Sequence, residues 1–247
     1  MSQGASKSRV AFFGGSFDPP HLGHLAVARA ARAALGLDTV LFAPVGAQPL
    51  KPVGATASFE DRLAMTRLAI AGEAGFSISQ ADAPMDGGAP NYTVETLERL
   101  KEDLGPGCDL NCLMGADSFV GLRQWHRAAE IPFVAKLIVA SRPGEDLGDL
   151  RAYLPVGLSL EAGVSATDLP VAAVELRCFS LLAESGRFAG ERVPFYLLPG
   201  VDVAISASRV RELVRADVLD GKEGRTALNE MLPEAVAEYV RAHGLYR

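Results

Sequence analysis

The sequence predicts an α/β protein built on a doubly wound parallel sheet, with a small C-terminal helical part. Apolar, strand-like runs alternate with helical stretches through its first two-thirds, a pattern that needs a parallel sheet covered on both faces. A glycine-rich turn joins the first strand directly to the first helix. The last segment, residues 206–247, carries two helical stretches.

The elements follow in order. Arg9-Val10-Ala11-Phe12-Phe13 reads as a buried first strand, and the alanine-rich Leu22 to Leu35 has helical spacing. Thr39 to Ala43 is a short β-rich run. Ser58-Phe59-Glu60-Asp61 has the pattern of a helix cap and leads into Arg62 to Ala71. Phe76 to Ser79 is a strand candidate, and Asn91-Tyr92-Thr93 caps a helix reaching about Leu104. Asp109 to Met114 reads as a strand, Ala116 to Ala129 as a helix and Lys136 to Ala140 as a strand. Residues 145–192 mix Gly, Pro and charge without a period and form an insertion-like segment with no assignment. Phe195 to Leu198 is a late strand. Helices are expected at Ser206 to Ala216 and at Pro233 to His243, the second with proline in its first turn.

A chain of 247 residues can bury one sizeable core, so one domain over residues 9–247 is expected after a frayed polar tail, residues 1–8. Apolar content of 49% and charged content of 22% suit an ordinary globular protein. No apolar run approaches the roughly 20 residues that cross a bilayer, and Met1 to Ser8 lacks the apolar stretch of a secretion signal, so no membrane partner is expected. A net charge of -6 argues against a nucleic-acid surface, so an anionic substrate needs a local cluster of donors. Cys108, Cys112 and Cys178 are too few and too uneven for a disulfide framework and fit a reducing cytoplasm; with no further ligands they read as buried thiols, and no protein metal site is expected.

In doubly wound sheets ligands sit beyond the carboxyl ends of the strands. The glycine turn, Pro44 to Lys51, Gly115 to Ser118 and Ser141-Arg142 all fall there. The turn Gly14-Gly15-Ser16-Phe17-Asp18-Pro19-Pro20-His21-Leu22-Gly23-His24 is the sharpest signal. Unpaired amides at a helix N-terminus point at whatever sits above the strand ends, and Gly14 and Gly15 let a ligand approach the main chain. His21 and His24 stand three apart at the helix entrance, so both imidazoles can face one phosphate.

GGSFDPPHLGH resembles the signature of the nucleotidyltransferase superfamily that carries the HxGH motif. Ile205-Ser206-Ala207-Ser208-Arg209-Val210-Arg211 resembles that superfamily's second phosphate motif, ISSTxxR, with Ser208 keeping the hydroxyl of the usual threonine. Asn91 to Leu97 is similar to the SYTxxTL segment of nicotinate-nucleotide adenylyltransferases, and Leu113 to Phe119 with Leu122 and Trp125 to their MGADSLxxLxxW segment. Pro44 to Lys51 resembles their lysine-bearing loop, Ser141 to Gly144 their RPG turn, and Leu232 to Val240 their C-terminal segment. Leu50 stands where many members have histidine, Glu230 where tyrosine is usual, and residues 145–192 match no motif.

The resemblance implies a Rossmann-like nucleotidyltransferase fold and transfer of AMP from ATP to nicotinate mononucleotide, giving deamido-NAD and pyrophosphate. It implies catalytic roles for His21, His24, Lys51 and Arg211, and ATP binding by Gly14, Gly15, Ser16, Phe17, His21, His24, Ser206, Ser208 and Arg211. Lys51, Thr93, Asp117, Trp125 and Arg142 are the candidates on the mononucleotide side, and Mg²⁺ arrives with ATP. Some alternatives stay open at this stage. Trp125 stacks on the pyridine ring or packs in the core; Asp117 meets the ribose or caps a helix; Arg123 and Arg127 read as a solvated helix face and His126 as structural or exposed. An adenylyltransferase for nicotinamide mononucleotide or phosphopantetheine is the nearest rival. An aminoacyl-tRNA synthetase lacks its KMSKS-like loop here, and a regulatory nucleotide-binding module has no need of both histidines, Lys51 and Arg211.

Overall fold

A computed structural model describes residues 7–50, 54–141, 147, 149–161, 175–201, 205–216 and 227–247. The strands are β1 (Ser8–Gly15), β2 (Thr39–Pro44), β3 (Phe76–Ile78), β4 (Cys108–Gly115), β5 (Lys136–Ala140), β6 (Leu158–Glu161), β7 (Arg177–Ala183) and β8 (Arg192–Leu198). The helices are α1 (Leu22–Leu35), α2 (Phe59–Ala69), α3 (Thr93–Leu104), α4 (Ala116–Val120), α5 (Ile131–Val134), α6 (Ala207–Arg215) and α7 (Glu234–Ala242). The strands form one eight-stranded sheet in the order β3-β2-β1-β4-β5-β8-β7-β6. The first six strands of that order run parallel, and β7 and β6 complete the edge in antiparallel pairing.

The pleat sorts the apolar residues onto two faces. Ala11 and Phe13 of β1 face one way and pack with α1, α2, α6 and α7. Val10 and Phe12 face the other way, into a core shared with α3, α4, α5 and the antiparallel edge. Both faces are covered, as a doubly wound sheet requires. Between β1 and β4 the chain reverses its direction of travel across the sheet, since β2 lies on one side of β1 and β4 on the other. That reversal opens the crevice in which such folds bind ligands.

Local signals explain most element bounds. α1 ends where Gly36 takes the left-handed conformation that glycine permits without strain. Ser58 caps α2 and Ser206 caps α6, each hydroxyl accepting from the N–H three residues on.

Four expectations need correction. The helix expected over Ala116 to Ala129 breaks after Val120: single 3₁₀ turns span Leu122–Gln124 and Ala128–Glu130, Trp125 is extended at φ -76° and ψ 150°, and Arg127 is left-handed at φ 49°. Residues 145–192, unassigned from sequence, contain β6 and β7. Ser8, placed in the tail, pairs with Cys108 as the first residue of β1. Pro233 precedes α7 as its cap residue instead of occupying its first turn.

Candidate active site

β1 delivers Gly14 and Gly15 to the crevice, beside Ala43 and Pro44 of β2. A Cβ on Gly14 would lie 2.7 Å from the Phe12 ring, and one on Gly15 would lie 3.3 Å from the Phe17 ring. Packing beneath the turn therefore leaves no room for a side chain at Gly14 and little at Gly15, whatever approaches from above. Phe17 takes φ 47° and buries its ring against Phe13 and Phe42, with His24 4.9 Å away edge-on. Only its main chain is left to face a nucleotide. Ser16 Oγ donates to Gln48 Oε1 at 3.1 Å, tying the turn to the loop after β2.

His21 immediately precedes α1 and His24 is its third residue, so their rings stack at 3.7 Å between centroids, 26° apart. The His21 main-chain N–H donates to His24 Nδ1 at 3.1 Å. An accepting Nδ1 carries no proton, so the neutral His24 ring holds its proton on Nε2. Gly23 makes the stack possible: a Cβ there would sit 2.9 Å from His21 Nδ1.

The second motif arrives from the other end of the chain. A Cβ at Gly23 would be 3.7 Å from the Ile205 carbonyl, which brings the α6 entrance against the α1 entrance. Ser206 Oγ is engaged in capping, accepting from Arg209 N–H at 3.2 Å. Arg211 Nη1 donates to the Asp18 carbonyl at 2.7 Å and Nη2 to Ser208 Oγ at 3.3 Å. Two helix N-termini and one guanidinium thus meet at the glycine turn, which is an arrangement for an extended anion.

The far side of the crevice is set by α3 and α4. Thr93 opens α3 and Asp117 lies, exposed, in the first turn of α4 after β4. Asn91, expected as part of the α3 cap, instead accepts from Ala47 N–H at 3.0 Å and donates to the Ala83 carbonyl at 2.8 Å. It fastens the α3 entrance to the loop after β2. Trp125 is half-buried and packs on the core formed with α3 and β4. The His126 ring lies 4.5 Å from that of Tyr92, tilted by 38°, so the broken helix folds its Trp125 segment back to the α3 entrance beside Thr93. Lys51 and Arg142 lie outside the described residues.

Three residues not foreseen as important hold this frame. Arg62, buried in α2, donates to the carbonyls of Ser16 at 2.7 Å and Val45 at 2.8 Å. Burial lowers its pKa, and Asp18 and Tyr246 oppose that shift. Asp18 is buried beneath the turn and accepts from Thr56 N–H at 2.6 Å, Ala57 N–H at 3.0 Å and Tyr246 OH at 2.8 Å. These partners are 38, 39 and 228 residues away along the chain, so no local pattern announces them.

Known proteins agree with this geometry. Residues 12–213 match the cytidylyltransferase-like family. Over 96% of each chain, this protein is 38% identical to a probable nicotinate-nucleotide adenylyltransferase of Gloeobacter violaceus. It is 35% identical to one of Dechloromonas aromatica, over 96% of this chain and 97% of that one. Among solved structures, Plasmodium falciparum nicotinic acid mononucleotide adenylyltransferase complexed with NaAD shares the fold, with a TM-score of 0.65 over 97% of both chains at 14% identity. The chain belongs to the cytidylyltransferase-like family and, within it, to the nicotinate-nucleotide adenylyltransferases.

Proposed function

We propose that this protein transfers AMP from MgATP to the 5′-phosphate of nicotinate mononucleotide, forming deamido-NAD and releasing pyrophosphate. The observation that carries the proposal is the His21–His24 stack at the β1 end, joined to the α6 entrance through Arg211 and Asp18. A phosphate oxygen of the mononucleotide attacks the α-phosphorus, a new P–O bond forms, and the bond to the β-phosphate oxygen breaks. That nucleophile is already anionic near pH 7, because its second pKa is about 6, so no general base is required. The site's work is alignment of two anions and stabilisation of the charge passing to pyrophosphate.

In this reading the Nε2–H of His24 donates to the α-phosphate, and His21 lies against the same group. The α6 entrance with Ser206, Ser208 and Arg211 takes the β- and γ-phosphates. Gly14, Gly15, Ser16 and the Phe17 main chain line the nucleotide. On the resemblance, Lys51 bridges the two substrates and Arg142 serves the mononucleotide, as do Thr93, Asp117 and Trp125. The donors here are amides, imidazoles and a guanidinium, which suit phosphate oxygens. No group of three His, Cys, Asp or Glu able to hold a metal occurs among the described residues. That donor set supports Mg²⁺ entering as part of MgATP. The three free cysteines support a reducing, cytoplasmic setting.

Support for the acceptor comes from the relatives' names and from the structural neighbour's bound NaAD. The test is pyrophosphate release by the purified protein given MgATP with nicotinate mononucleotide, nicotinamide mononucleotide or phosphopantetheine. Turnover is expected to be highest with the first. Equal or faster turnover with either of the others overturns the assignment.

A further inference from the structure

We propose that Tyr246 is a positioning residue for the triphosphate side of the site: its hydroxyl holds Asp18, and Asp18 in turn fixes the turn to which Arg211 is bonded. The inference rests on the functional reading above and adds to it a residue that no motif contains.

Tyr246 is 5% exposed, and its backbone sits at φ 68°, a conformation that costs energy for any residue with a side chain. The ring is buried in the core beside α7, and its hydroxyl makes a 2.8 Å hydrogen bond to Asp18 Oδ1. A buried carboxylate must be satisfied by donors. Asp18 collects the phenol, the Thr56 and Ala57 amides, and the Arg211 guanidinium 4.0 Å from its Oδ2. Arg211 also bonds to the main-chain carbonyl of the same residue. Anything that lets Asp18 tilt moves the carbonyl on which Arg211 is aimed. Burial, reinforced by the Asp18 charge, holds the phenol far above its ordinary pKa, so it stays a donor at every working pH.

A control is built into the same region. Tyr239 OH donates to Asp61 Oδ1 at 3.0 Å, clipping α7 to α2 without touching the glycine turn. Tyr246→Phe and Tyr239→Phe each delete one hydroxyl from a clip of this kind, so a merely structural role predicts similar kinetics for both. As a positioning residue, Tyr246 predicts otherwise. Tyr246→Phe should raise the KM for ATP roughly tenfold, the scale of one lost hydrogen bond to a charged group, while KM for the mononucleotide moves less than about twofold. Tyr239→Phe should leave both constants within about twofold of wild type. Asp18→Asn keeps the side-chain volume and should show the same ATP-specific defect, and the double variant should be no worse than Asp18→Asn alone. Folding of each variant is read by thermal melting. An unchanged ATP KM in folded Tyr246→Phe, or in Asp18→Asn if the former does not fold, overturns the proposal. So does an equal ATP defect in Tyr239→Phe. Absence of turnover in the wild-type chain with every acceptor would sink the functional reading and this inference with it, whereas an active wild type matched by its variants sinks the inference alone.

Discussion

A main-chain amide fixes the tautomer of a neutral His24, since the His21 N–H donates to Nδ1 and the ring proton then sits on Nε2. In the proposed function this imidazole is a preorganised donor, held by its position in the first turn of α1 and by the Phe17 edge against it. Removing such a donor from a site built to stabilise developing charge costs about 100-fold or more in turnover. His24→Ala is therefore expected to lower kcat by about that factor. His24 is half-buried at the crevice surface, so the melting temperature should stay close to wild type. Steady-state kinetics beside a thermal melt checks both halves, and a folded variant with near-normal kcat removes His24 from the reaction. The place of this histidine at the α1 entrance was legible in the sequence because its motif is local. The reason for its neighbour Gly23 was not legible: the glycine is there because the His21 ring occupies the space a Cβ would take.

At the scale of elements, legibility follows the range of the forces. α1 and β5 lie where apolar periodicity places them, and Ser58 and Ser206 cap where a hydroxyl before a helix should. The break in the expected helix over Ala116 to Ala129 has no local sign beyond Gly121, because its cause lies elsewhere in the chain. The Arg127 guanidinium bonds both oxygens of Glu98 on α3, at 2.9 and 3.0 Å, and both of Glu130. Arg187, in the turn between β7 and β8, adds a further bond to Glu98. This network surrounds the left-handed Arg127, next to which His126 meets Tyr92 at the α3 entrance. Its arginine partners hold the Glu98 and Glu130 carboxyls below their ordinary value of 4.5. A depressed carboxylate pKa stabilises the fold above the unfolded value, and the contribution disappears as pH falls through the lower folded value. The groups are partly solvated, so the contribution is about 1 kcal/mol or less. Glu98→Gln should lower the melting temperature more at pH 7 than at pH 3, and should raise the KM for the mononucleotide more than that for ATP. Melts at the two pH values, with KM for each substrate, provide the check. A destabilisation that persists unchanged at pH 3 would mean the network is not electrostatic.

For the whole molecule, one side of the crevice between β1 and β4 is built from segments far apart in the chain. Arg211 reaches the Asp18 carbonyl across 193 residues of sequence, and the Leu22 N–H donates to the Met231 carbonyl at 2.9 Å. The C-terminal helices thus adjoin the glycine turn as well as covering one face of the sheet. With a net charge of -6, the protein supplies no general attraction for an anion, so in the proposed function MgATP is held by local donors, the amides of two helix entrances and the Arg211 guanidinium among them. A ligand that bridges the two ends stabilises the folded state by mass action, about 2.7 kcal/mol at a hundred times its Kd. For a chain of this size that corresponds to a rise in melting temperature of about 5–10 °C. A non-hydrolysable MgATP analogue should produce such a rise in the wild type. In Arg211→Ala the rise at the same analogue concentration should fall below about 2 °C, because affinity and hence occupancy drop together. Nicotinate mononucleotide, bound on the α3 and α4 side, should stabilise both proteins to the same degree. Differential scanning fluorimetry with each ligand separates the two sides of the crevice. If Arg211→Ala keeps the full shift with the ATP analogue, the two ends of the chain do not share the triphosphate.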